Sequence, residues 1–146
     1  ERAARALSLR VDLAEATNIA DAANQYLTIL EGANTATDAL WLLDQPHFLT
    51  PDILPRLIEE AWARSVIVFS DVLEHVNEGA LFATYLNARS LGLRLARIAL
   101  TAPGILPPLV LDEAPARAIN VRTARHLVHA VDLRAVSAFD LVLGRR

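Results

Sequence analysis

His126 and His129 stand three residues apart in a stretch of helical periodicity, a spacing that puts both imidazoles on one helix face within reach of one metal ion. Their flanking charges are Arg122, Arg125 and Asp132, so no carboxylate completes a His/Glu-x-x-His set. The pair reads as surface or interface histidines, and no metal or other cofactor is expected. His75, flanked by Glu74 and Glu78 and set against Glu59-Glu60, could form a carboxylate–imidazole acid/base pair. Neighbouring Glu59 and Glu60 cannot share a helix face, which makes a solvated helix surface the simpler reading, and no catalytic residue is assigned. Trp41, Trp62, Phe82 and Tyr85 are core aromatics by spacing, yet aromatics of this kind also line ligand cavities in helical bundles. Trp41, Trp62, His75 and Tyr85 are therefore the candidate small-molecule site.

The residues that are missing narrow the chemistry further. The chain contains no Cys and no Lys, so thiol nucleophiles, disulfides, thiolate metal sites, Schiff-base lysines and a P-loop lysine are excluded. A net charge of −3 and a pI near 5.8 leave no basic face for nucleic acid. No run of 18 apolar residues occurs, so no membrane span is expected and the default compartment is cytoplasmic. There is no Met, and the chain starts at Glu1-Arg2-Ala3 inside a helical pattern, which suggests a processed protein or a fragment of a longer chain.

The elements that would position these side chains are organised around residues 49–64. Thr50 is placed to cap, Pro51 fits a first helical position, and Leu54, Leu57, Ile58, Ala61 and Trp62 follow i, i+3, i+4, i+7 spacing. Helices are also predicted over 3–16, over 19–30 with Gly32 as the stop, and over 39–43. Helical stripes resume over 72–78, over 80–100, from Asp112 or Pro115 to Val131, and over 133–143. Val66-Ile67-Val68-Phe69 alone has strand character, but it is short and finds no second strand. The expectation is a single all-α domain over residues 1–146, a helical repeat or a bundle of antiparallel helix pairs.

Leu43, Pro46, Leu49-Thr50-Pro51, Leu57-Ile58-Glu59-Glu60-Ala61, Leu73-Glu74-His75, Phe82, Leu86 and Ala88 resemble the tetratricopeptide-like repeats of bacterial multidomain proteins that carry a caspase-like CHAT domain. The resemblance spans roughly 39–92 and implies a scaffold of packed helical hairpins that holds a protein partner. No peptidase dyad carries over, because there is no Cys. Two functions follow as expectations: a protein–protein interaction module, leaning away from an enzyme, or a helical bundle that binds or converts a small molecule. With 53% hydrophobic residues, the chain is also expected to self-associate, most simply as a homodimer, or to dock on a partner. The interface would use Ile105, Leu106 and Leu109 in the Pro-rich connection and Phe139 and Leu143 near the end.

Overall fold

The computed structural model describes residues 4, 6–45, 47–101, 115–127 and 133–144. The chain builds a mixed sheet with helices, not a helical bundle. In order it runs α1 (Ile19–Gly32), β1 (Ala39–Leu42), α2 (Ile53–Ala63), β2 (Ile67–Ser70), α3 (Leu73–Glu78), β3 (Phe82–Tyr85) and α4 (Ala88–Thr101). It continues through β4 (Ala116–Asn120), α5 (Val121–His126), a 3-10 helix (Leu133–Ala138) and β5 (Leu141–Leu143). The five strands lie side by side in chain order, with β1, β2 and β3 mutually parallel, β4 antiparallel to β3, and β5 parallel to β4.

Parallel neighbours need a crossover, and α2 and α3 supply two in succession. Both crossovers step in the same direction, so with the usual right hand both helices fall on one face of the sheet. There α1 packs on α2, and α2 on α3. The apolar stripe of residues 54–61 faces that sheet surface: Leu54, Leu57, Ile58 and Ala61 join Leu40, Leu42, Val66, Val68 and Leu30 in one cluster. Trp62 sits at the rim of this cluster, half-buried, with its indole Nε1 donating to the Gly79 carbonyl at 3.1 Å. Gly79 is required there. Its φ is +122°, and an added Cβ would lie 2.8 Å from Ile58 Cγ2.

The opposite face carries one row of side chains in register, Trp41–Phe69–Phe82–Ile119–Val142. Trp41 stacks on Phe69 at 5.5 Å and Phe69 on Phe82 at 5.1 Å. Val136 and Phe139 cover the far end of this row, whereas Trp41 at the β1 end remains 51% exposed. Outside the sheet, residues 9–16 have no regular secondary structure, and Leu7, Leu9, Val11 and Leu13 are exposed at every second position.

The all-α expectation is thus corrected. Residues 19–30 and 53–63 are helical as read, but residues 9–16 form no helix, and the helices expected over 39–43, 80–100, 115–131 and 133–143 each contain a strand. Of the run Val66–Phe69, Ile67 to Phe69 belong to a true strand, β2, which pairs on both sides. The physical reason is that these strands are only three to five residues long and mostly apolar, so their residues satisfy helical spacing as well as strand spacing. No described helix is long and apolar enough to cross a membrane.

Candidate ligand-binding site

The carboxyl ends of β1, β2 and β3 point the same way, and each strand hands over to a polar residue within two positions: Leu42 to Asp44, Ser70 to Asp71, Tyr85 to Asn87. Around these three turns lies an open depression of about 790 Å³, with Asp44, Asp71, Glu74, Tyr85, Asn87 and Arg89 among its lining. Open parallel sheets bind ligands at the carboxyl ends of their strands, because there the loops can diverge and leave a crevice.

Ser70 builds the floor. Its hydroxyl is fully buried and donates to the Leu42 carbonyl at 3.0 Å, tying the end of β2 to the end of β1. The same oxygen accepts from the Val72 N–H at 3.1 Å and contacts His75 Nδ1 at 2.7 Å. Since the hydroxyl proton is committed to a carbonyl that can only accept, His75 must donate from Nδ1, which assigns the neutral Nδ1–H tautomer. Burial pushes the His75 imidazole below its ordinary value, opposed by the carboxylates of Asp71, Asp44 and Glu74, in that order. A serine hydroxyl with no exposed surface cannot attack a substrate, so the Ser70–His75 contact is a structural brace and not a nucleophile–base pair.

Asp71 follows directly. Its Oδ1 is shielded from solvent and has no hydrogen-bond partner. Across the depression, Asn87 caps α4: its Oδ1 accepts from the Arg89 N–H at 3.1 Å and the Ser90 N–H at 3.2 Å. The amino end of a fourteen-residue helix, with Arg89 in its first turn, therefore borders the same space as Asp44, Asp71 and Glu74.

The four residues singled out as a small-molecule site do not meet. Tyr85 lines the depression, whereas His75 is outside its lining, buried against Ser70. Trp41 is on the other face of the sheet, stacked on Phe69, and Trp62 lies toward the amino ends of the strands beside Gly79. His126 stacks on Trp62 at 4.9 Å, with Nε2 3.2 Å from the Trp62 carbonyl, while His129 lies outside the described residues. Among the described residues no group of three His, Asp or Glu side chains is arranged to hold a metal. Phe139 and Leu143 pack within the fold, Phe139 edge-on to Phe82 at 6.4 Å and Leu143 against the cluster of Val76, Ala83 and Ala118. Ile105, Leu106 and Leu109 lie outside the described residues. Asp44, Asp71, Asn87 and Arg89 were not singled out from sequence. The available signal was an apolar run of strand length that ends at Asp or Asn, repeated three times.

No family model matches the chain, and no curated protein matches it either. Solved structures do. The chain is similar in fold to the ABC domain in complex with L-Trp from Streptococcus pneumonia, with TM-score 0.69 and 14% identity over 96% of this chain. It is likewise similar to a ligand-free, open substrate-binding protein with adhesive properties from Clostridium difficile, with TM-score 0.67 and 16% identity over 97% of the chain. A conserved domain protein from Vibrio cholerae gives TM-score 0.66 and 16% identity over 97%. In each case the match covers 47% of the other protein, so this chain spans about half the length of the structures it resembles. These α/β neighbours overturn the tetratricopeptide-like resemblance and the helical-repeat assignment. The scaffold function rested on that resemblance and falls with it: the neighbours are a ligand complex and a substrate-binding protein, not helical scaffolds.

Proposed function

We propose that this chain binds a small molecule in the depression at the carboxyl ends of β1, β2 and β3, forming one wall of a site whose other wall is supplied by further polypeptide. The carrying observation is the convergence of Asp44, Asp71, Tyr85, Asn87 and Arg89 on one open space at strand ends that Ser70 ties together. The openness of that space suits a half-site, and the 47% coverage of the similar structures supports the same division. Binding, not catalysis, is the role. The Ser–His contact is fully enclosed, and the groups around the depression are acceptors and donors set to hold a ligand.

Saturation-transfer NMR of the 146-residue chain with a panel of small polar and aromatic metabolites tests this. Bound compounds should lose their signal when Tyr85 and Asn87 are both replaced by Ala. A panel that shows no saturation transfer, or transfer unaffected by that double replacement, would refute it.

A further inference from the structure

We infer that the free edge of β1 is a docking surface for one extended apolar strand, supplied by polypeptide outside these 146 residues, which inserts between β1 and residues 9–13 and pairs with both.

β1 is the outer strand of the sheet, bonded to β2 on one side and to no described strand on the other. Edges that meet water are usually blunted by a charge, a proline or a bulge, because their unpaired N–H and C=O groups recruit other strands. Ala39-Leu40-Trp41-Leu42 has none of these: it is four apolar residues in unbroken register with β2. Trp41 stacks on Phe69 on one side and is half exposed on the other, where the aromatic row has no next member.

Residues 9–13 stand beyond this edge. α1 joins them to β1 and packs on α2, the helix of the next crossover. With the right-handed connection that parallel strands use, a strand feeding α1 on that face lies on the outer side of β1. Electrostatics places the two near each other. The Asp38 carboxyl, immediately before β1, is held below its ordinary value by the Asn34 N–H first, then by the Thr37 hydroxyl and, more weakly, by the Arg10 charge, with burial opposing. Arg10 nonetheless pairs with Asp12, at 2.8 Å, and among the described residues no backbone hydrogen bond joins 9–13 to β1. Leu9, Val11 and Leu13 alternate with Arg10 and Asp12 and are exposed, the pattern of a strand with one apolar face and no cover for it.

An unpaired edge and an unpaired stretch of alternating sequence thus lie near each other without bonding. Pairing β1 with β1 of a second copy would bond four residues per chain and leave 9–13 without a partner. One inserted strand pairs on both sides, and a large apolar side chain opposite Trp41 extends the aromatic row. This chain spans about half the length of the structures it resembles, which points to further polypeptide as the source. Because β1 leads through Asp44 to the depression, the inserted strand brings one of its ends to that rim.

The experiment adds the peptide acetyl-Lys-Thr-Val-Ile-Val-Thr-Lys-amide to the isotope-labelled 146-residue chain and follows amide exchange by NMR, with the same peptide carrying Pro in place of Ile as the control. Without peptide, the chain should be monomeric by light scattering, and amides of residues 9–13 should exchange freely. The first peptide should slow exchange at 9–13 and at alternate amides of β1 about tenfold or more, saturably. The proline peptide should bind about fivefold or more weaker, having lost one ladder hydrogen bond. Val11→Pro and Asp12→Pro remove successive N–H groups that point to opposite sides of a strand, so at least one should weaken the first peptide by a similar factor. Both lie in an exposed stretch, and dispersed spectra establish that the variants fold. Protection of 9–13 and β1 in the free monomer would mean that the chain closes on itself, and a dimer with β1 protected would mean a second copy; either result overturns the inference. So does a first peptide that protects neither stretch, that binds no better than its proline control, or that is unaffected by both variants. The response of polar metabolites to replacement of Tyr85 and Asn87 is read separately and does not depend on this outcome.

Discussion

Replacing Ser70 by Ala removes one oxygen and leaves three groups without their partner: the Leu42 carbonyl, the Val72 N–H and His75 Nδ1. Each net hydrogen bond is worth about 1 kcal/mol, and a buried group left unpaired costs about 1–3 kcal/mol. Water can reach the half-buried Val72 amide more readily than the other two, so the loss should be about 2–4 kcal/mol. Urea unfolding followed by far-ultraviolet circular dichroism measures it, provided the slope of the transition is unchanged. A double-mutant cycle with His75→Leu separates the brace from general packing. Because Ser70 and His75 share one hydrogen bond, their effects should be non-additive by about 1 kcal/mol. Acidification gives a second readout. His75 titrates below its ordinary value of 6.5 in the folded protein, so on lowering the pH the unfolded chain takes up the proton first. The stability due to the neutral imidazole is thus complete above pH 6.5 and is lost as the pH falls through the lower, folded value. His75→Leu should be less sensitive between pH 7.5 and 5.5 than the parent. A Ser70→Ala loss below about 0.5 kcal/mol, additive with His75→Leu, would refute the network as the floor of the site.

Gly79→Ala should destabilise by about 1–3 kcal/mol, since both its positive φ and the contact with Ile58 oppose a side chain; thermal unfolding reads this out. Trp62→Ala should cost about 2–3 kcal/mol, below the range for a fully enclosed ring because Trp62 is only half-buried, with denaturant unfolding as the check. Replacing Phe139 and Leu143 together by Asp should unfold the chain, since both pack in its own clusters, and light scattering with circular dichroism will reveal any folded monomer. Amides of Val11, Asp12 and Leu13 should exchange with deuterium at rates near those of an unstructured peptide, in contrast to Val68 and Ala83 in the sheet.

The stripe of Leu54, Leu57, Ile58 and Ala61 was legible because an amphipathic helix with one wet face writes its period plainly. The strand character of β2 was legible in Val66-Ile67-Val68-Phe69, but its partners were not, and β3 stayed hidden for the opposite reason. Both their faces meet protein, so Ile67-Val68-Phe69 and Phe82-Ala83 show no polar alternation, and a run of four residues cannot separate a period of 2 from one of 3.6. Leu7-Ser8-Leu9-Arg10-Val11-Asp12-Leu13 alternates with period 2, yet it forms neither helix nor strand beyond the turn at Leu7-Ser8. The site was hidden because Asp44, Asp71 and Asn87 are separated by tens of residues and become neighbours only through parallel pairing of β1, β2 and β3. The aromatic side chains Trp41, Phe69 and Phe82 instead form the stacked row on the opposite face of the sheet.

The order of the strands bears on how the molecule assembles. Each strand pairs with the one synthesised just before it, so no late strand must be threaded between two that are already bonded. The widest gap between paired neighbours is the step from β3 at residues 82–85 to β4 at 116–120, and the parallel unit of β1, β2 and β3 closes within residues 39–85. Loop closure is therefore modest at every step, which favours rapid pairing from one edge toward the other. A nascent chain can complete Ser70 and its contacts with Leu42 and His75 before residue 116 is made. The ties between the ends of β1 and β2 are then in place ahead of the half of the sheet that follows them.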